Sequence, residues 1–221
     1  SAVKAKAADL NLAVSCLYCD GGQTGRSLGY RGVCTQDNYY GNMTRQPEAW
    51  CANPGNRCRD FRPDDRPAGE GLCFECTMLT GWSVVLPADQ LAGAGSMTGG
   101  IIVATTVLPR ESEANRRVIA VFAIASQAGE PAGIRLQAES RQRFELLADE
   151  PVYFWKALTG KGQPDPTWHG NYRPVNQAAV VRILHRSVRA IKEADRRAVA
   201  ERMLKMASAR YSTAQLEKIL S

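Results

Sequence analysis

The sequence predicts an α+β protein in which an N-terminal cysteine module, stabilised by metal, precedes a small β-barrel with flanking helices and a helical C-terminal tail. Three observations carry that expectation. All seven cysteines of the 221-residue chain fall between Cys16 and Cys76. The apolar runs between Gly81 and Leu147 are short and partly alternating, as in strands. Beyond Asn176 the apolar positions recur at helical spacing. The expected divisions are an N-terminal extension over residues 1–15, the cysteine module over 16–80, the barrel over 81–190 and a basic helical tail over 191–221.

Composition narrows the class. A hydrophobic content of 44% is ordinary for a globular chain and argues against disorder. The longest apolar stretch, around Val118 to Ala125, is far short of the roughly 20 residues that cross a bilayer. Ser1 to Ala8 lacks the apolar core of a signal peptide, so the expected compartment is the cytoplasm, with no membrane partner. The net charge of +6 is unevenly spread. Residues 1–80 hold 9 basic and 9 acidic side chains and residues 81–150 hold 6 and 8, but residues 151–221 hold 13 and 5. A basic excess confined to one region is the footprint of a polyanion binder, or else one solvated helical face.

The cysteines are Cys16, Cys19, Cys34, Cys51, Cys58, Cys73 and Cys76. A disulfide framework goes with secretion and an even count, and neither condition is met. Cys16-Leu17-Tyr18-Cys19 and Cys73-Phe74-Glu75-Cys76 are CxxC pairs, each able to present two thiolates to one tetrahedral ion, and together they complete a four-sulfur site. Cys34, Cys51 and Cys58 remain. They share ligands with the pairs, recruit a carboxylate such as Asp60, or hold an iron–sulfur cluster with a borrowed cysteine. Zn2+ is the expected ion and the cluster is the alternative. The segment between the pairs is rich in Gly, Asn, Asp, Arg and Pro and poor in apolar side chains. Metal would supply its missing stability, of order 10 kcal/mol for a structural zinc site.

In the second region Trp82 to Leu86 reads as a strand. Ile101 to Leu108 and Val118 to Ser126 read as a hairpin across the charged connector Pro109 to Glu113. Gly133 to Ala138 alternates like a half-buried strand, and Phe144 to Leu147 adds another. An aromatic loop follows, with Tyr153, Phe154, Trp155, Trp168, His169 and Tyr172, ending in Tyr172-Arg173-Pro174-Val175. Asn176 caps a helix starting at Gln177, with Ala179, Val180, Ile183, Leu184 and Val188 on its apolar face. Two further helices fill the tail, the second capped by Ser212.

The Arg-x-Pro-Val turn at Arg173, followed by a short helix and preceded by β-rich sequence and aromatic loops, resembles the end of PUA-like domains of the EVE, YTH and ASCH type. The resemblance spans roughly residues 81–190. It implies a small β-barrel that binds nucleic acid, with a modified base accepted between aromatic rings. On that basis Trp155, Trp168 and Tyr172 are the expected stacking residues, with His169, Asn171 and Arg173 as polar contacts.

The functional expectation is a metal-stabilised nucleic-acid-binding module. It would read modified bases in DNA rather than RNA, within a restriction or defence system and alongside a larger effector protein or further domains. A metal-dependent nuclease or base-modifying enzyme is the alternative. The spacing of Asp64 and Glu75 departs from the nuclease pattern, since Thr77 stands where a lysine is needed, and no His-x-Glu precedes the second CxxC pair as a zinc deaminase requires. A protein-interaction module is the third reading.

Overall fold

The computed structural model describes residues 11–17, 72–73, 82–88, 95–107, 111–131, 133–165, 168 and 172–221. Among them seven strands form one sheet: β1 (Asn11–Leu17), β2 (Leu72–Cys73), β3 (Ser83–Leu86), β4 (Ile101–Thr106), β5 (Arg117–Glu130), β6 (Gly133–Glu145) and β7 (Tyr172–Val175). The order across the sheet is β2-β1-β4-β5-β6-β3, with β7 also paired to β1. Four helices accompany it: α1 (Phe154–Thr159), α2 (Gln177–Ala190), α3 (Ala194–Ser208) and α4 (Thr213–Leu220). The fold is α+β, as the sequence predicts, but the sheet is an open, curled half-barrel: no ladder joins β3 to the far end among the described residues.

The curl has local causes. Opposite β4, the register passes from Ala104↔Ala120 to Thr105↔Val118, so Ile119 is an extra residue that bends β5. Opposite β6, it passes from Phe122↔Arg143 to Ile124↔Ala138, which throws residues 139–142 out of the ladder and turns the hairpin through a corner. Gly133 closes that hairpin at φ +144°, and a Cβ there would lie 2.0 Å from the Leu86 carbonyl oxygen. Only glycine allows β3 to approach so closely.

Alternation divides the core between the two faces. Leu12, Val14 and Cys16 of β1 join Ile102, Phe122, Leu136 and Val84 inside the curl. Ala13, Val103 and Val121 face the other way, against Val180, Ile183 and Leu184 of α2, Trp155 of α1 and Met203 of α3. All six residues of β4 are buried because both faces are covered. The helical tail expected from the sequence is present, and α3 lies over the sheet. Asn176 caps α2 by accepting the Ala179 N–H at 2.8 Å, and Ser212 with Gln215 forms a reciprocal capping box on α4.

Two elements were not expected. β1 joins the end of the supposed N-terminal extension to the first cysteine, and it lies inside the sheet, parallel to β4 and antiparallel to β7. The sheet therefore crosses the expected boundaries at residues 15/16 and 80/81. The Arg173 turn is itself β7, its backbone registered so that Arg173 lies opposite Ala13.

Glu150, 1% exposed, ties the loop after β6 to the start of α3. Arg196 grips its carboxylate through both terminal nitrogens at 2.7 and 2.8 Å, and the Leu147 and Lys192 backbone N–H groups donate at 3.0 and 2.9 Å. Burial alone would raise its pKa. The Arg196 pair and the two N–H donors outweigh burial and bring it from 4.5 down to about 2. The stabilisation is therefore complete above pH 4.5 and is lost as pH falls toward 2. We expect Glu150→Gln, which leaves Arg196 without its counter-charge, to cost about 3–5 kcal/mol in urea unfolding at pH 7. The stability gap between variant and parent should close as the pH is lowered through that window.

Candidate functional site

Three groups of side chains merit comparison with the sequence expectations: the cysteine strands, the aromatic cluster and a basic groove on the helical face.

The cysteine strands come first. β1 and β2 run parallel with Cys16 opposite Leu72 and Leu17 opposite Cys73. β1 ends one residue past Cys16, and β2 ends at Cys73. Cys16 itself is 5% exposed and belongs to the inner core. Burial pushes its thiol up to about 12, against the opposing effects of the Arg116 charge and the Thr105 backbone N–H. An ion bound there has to displace that proton, as metal binding by cysteine does generally. Cys19, Cys34, Cys51, Cys58 and Cys76 lie outside the described residues. Among the described residues no three ligating side chains gather into a metal centre.

The aromatic cluster lies beside that strand end. Phe154, Trp155 and Trp168 pack edge to face or tilted with centroids 5.0 to 5.6 Å apart. Arg116 covers Trp168 at 4.6 Å and Arg173 covers Trp155 at 5.4 Å. Arg116 also donates to Ser15 Oγ at 2.9 Å and to Thr105 Oγ1 at 3.1 Å, which binds the cluster to β1 and β4. Glu113 accepts from both Arg116 and the Trp155 indole N–H, the latter at 3.0 Å. This arrangement corrects the stacking expectation for Trp155. The ring is 0% exposed and serves the helix-side core, so no base can lie on it without opening the cluster.

The other expected contacts are also structurally engaged. Trp168 packs against the same core. Tyr172 packs against the inner one, with its hydroxyl 3.5 Å from the Val85 carbonyl oxygen. Arg173 pairs with Asp165 at 2.6 Å. His169 and Asn171 lie outside the described residues. Trp168 Nε1 and Arg173 Nη1 are buried donors without a hydrogen-bond partner among the described residues.

The third group is one the sequence reading passed over. Arg182, Arg186 and Arg189 follow one another on α2 at helical i, i+4, i+7 spacing, opposite the buried stripe of Val180, Ile183, Leu184 and Ser187. With His185 of the same helix and Lys156 and Tyr153 of the α1 segment they line a groove of about 590 Å³, which Asp149, paired to Lys192, also lines and whose far wall is the end of α4. Arg182 donates to the Ala157 and Leu158 carbonyls, the second at 2.9 Å, and so closes the C-terminal end of α1. Arg186 and Arg189 pair with no carboxylate among the described residues. Burial, then the neighbouring Arg189 and Arg186, hold the His185 pKa below its usual 6.5, so the imidazole is neutral at pH 7. The signal that could have revealed this groove is the arginine spacing on α2, which is present in the sequence. Its junction with Lys156 and Tyr153 is not.

Comparison with protein-family models, with curated proteins and with solved structures finds no match to this chain.

Because Trp155 fills the core, Trp155→Ala should cost about 3–5 kcal/mol of stability, measured as the loss in urea midpoint multiplied by the slope of the transition. A ligand-facing tryptophan would cost far less, and a change under 1 kcal/mol would contradict the packing described.

Proposed function

We propose that the protein is a metal-stabilised nucleic-acid-binding module whose backbone-contacting surface is the groove between α1 and α2. The observation that carries this reading is the pair Arg186 and Arg189, neither matched to a carboxylate, beside Arg182 and Lys156 in one concave surface. Four cations face one carboxylate in the groove, Asp149, which Lys192 already pairs, so the cations repel one another, and a phosphate backbone relieves that repulsion while releasing its own counterions. The basic excess of residues 151–221 has the same sign and place.

DNA is the favoured polymer, and the finer proposal remains a reader of modified bases in a restriction or defence system. Support for kinship with PUA-like domains consists of the curled sheet with helices against it and the Arg173 to Val175 segment leading into α2. Trp155 no longer supports the base-reading part, since its ring is enclosed. Zinc is the ion we propose for the cysteines. The supporting observation is the spacing of the two CxxC pairs in the sequence, each able to offer two thiolates to one tetrahedral ion. Cys16, Cys19, Cys73 and Cys76 would hold it as a structural site with no open position.

The electrostatic part is tested by the salt dependence of binding to labelled DNA. About four phosphate contacts give a slope of roughly −3 to −4 in log affinity against log salt. Replacing Arg186 and Arg189 together by alanine should make that slope shallower by about 2. An unchanged slope would move the interface elsewhere, and salt-independent binding would point to a protein partner.

The metal part is tested by elemental analysis of protein purified without chelator. We expect one or two equivalents of zinc and no visible colour, with Cys19→Ser and Cys76→Ser each releasing the same single equivalent. Iron with brown absorbance would replace the zinc reading by a cluster.

A further inference from the structure

The groove contains more than charge, and its aromatic member gives it a preference. Tyr153 lies on its floor at the N-terminal edge of α1, half-buried. Its backbone is pinned by a bridge to Arg117 and by the Ala157 N–H, which donates to its carbonyl at 3.1 Å. The ring is flanked by the Arg117 guanidinium at 5.8 Å and the Lys156 ammonium at 5.0 Å. Arg117 is held in turn by the Ala148 carbonyl at 3.0 Å. Lys156, by contrast, is exposed, and no carboxylate pairs it among the described residues. Its ammonium is therefore an exposed cover over a ring whose backbone is held.

We infer that the groove is a single-strand site in which one base takes the place of Lys156 over the Tyr153 ring while Arg186 and Arg189 hold the adjoining phosphates. This deepens the nucleic-acid reading above and rests on it. Three observations point the same way. At about 590 Å³ the groove has the size of a small-molecule pocket, room for a nucleotide or two but not for a duplex, which would have to lie across the rim. An aromatic face next to a row of cations is the pattern by which proteins hold single strands without reading sequence. The cation that now covers the ring is also the one best able to swing aside and follow a phosphate, because it sits on a flexible stem at the surface. A duplex resting on the rim would touch the arginines and leave Tyr153 untouched.

The test uses the full chain and two labelled probes, a single-stranded oligothymidylate and a duplex containing the same strand. Tyr153→Leu, which keeps an apolar group of similar bulk, should weaken single-strand binding about 10-fold without altering its salt slope, since stacking carries no charge. Tyr153→Phe should restore the affinity, and duplex binding should be the same in all three proteins. If Tyr153→Leu binds the single strand as the parent does, or if duplex competes equally, the single-strand site is refuted while the nucleic-acid reading stands. If neither probe binds the parent, both fail together. Should the leucine variant not fold, the parent cross-linked to an iodouridine-substituted strand decides the matter: attachment at Tyr153 supports the site, and attachment elsewhere overturns it.

Discussion

Glu150 is the point at which strands and helices are joined. A carboxylate that is 1% exposed is unfavourable unless every charge and lone pair is answered, and here two guanidinium nitrogens and two backbone N–H groups answer it. Those donors come from the loop after β6, from the link between α2 and α3, and from the first turn of α3. Meeting the demands of one carboxylate thus sets where α2 ends and how α3 begins. Arg196 extends the junction by donating to the Glu145 carbonyl at 2.9 Å and to Glu193 at 2.9 Å. The orientation of α2 follows, and with it the direction of the arginine stripe on its outer side.

A second polar junction works at the opposite end of α2. Asn11, buried in β1, accepts the Ile101 N–H at 2.9 Å and donates to Gln177 at 2.9 Å. Gln177 in turn donates to the Ala207 carbonyl of α3 at 3.1 Å. Two amides, of Asn11 and Gln177, therefore connect the first strand, the β4 start and two helices. Farther along β1, the hydroxyls of Thr105 and Thr106 donate to the Val14 and Cys16 carbonyls, each at 2.9 Å. The strand that bears Cys16 is fastened on both sides, by β4 on one and by β7 and β2 on the other.

The aromatic residues show how chemistry and placement diverge. Trp155, Trp168 and Arg173 have the composition of a ligand cage, but Arg116 and Arg173 already cover the rings and Glu113 accepts a hydrogen bond from the Trp155 indole N–H. Tyr153, from the same loop, stays at the surface because it precedes the buried turn of α1. One position along the chain separates the core ring of Phe154 from the accessible ring of Tyr153, a distinction set by which way α1 faces the sheet.

Local chemistry was legible in the sequence wherever a few adjacent residues decide the outcome. Asn176 and Ser212 announced the starts of α2 and α4, since a cap answers its own helix's N–H groups. Alternation at Gly133 to Ala138, and the two runs around the charged connector at Glu113, announced strands that pair with near neighbours. The mixed α+β class and the basic excess near the end of the chain were equally plain. What only the tertiary structure decided depends on partners distant in sequence. β1 looked like an extension because its hydrogen bonds go to residues 102–105 and 172–175. Cys16 looked like a simple ligand because burial, which raises its thiol to about 12, is a property of the surrounding sheet. The groove needed α1 and α2 to be laid side by side, and no local pattern encodes that contact. Backbone and capping preferences act over a turn or two of chain, whereas burial, electrostatic environment and concavity arise only when separate segments meet.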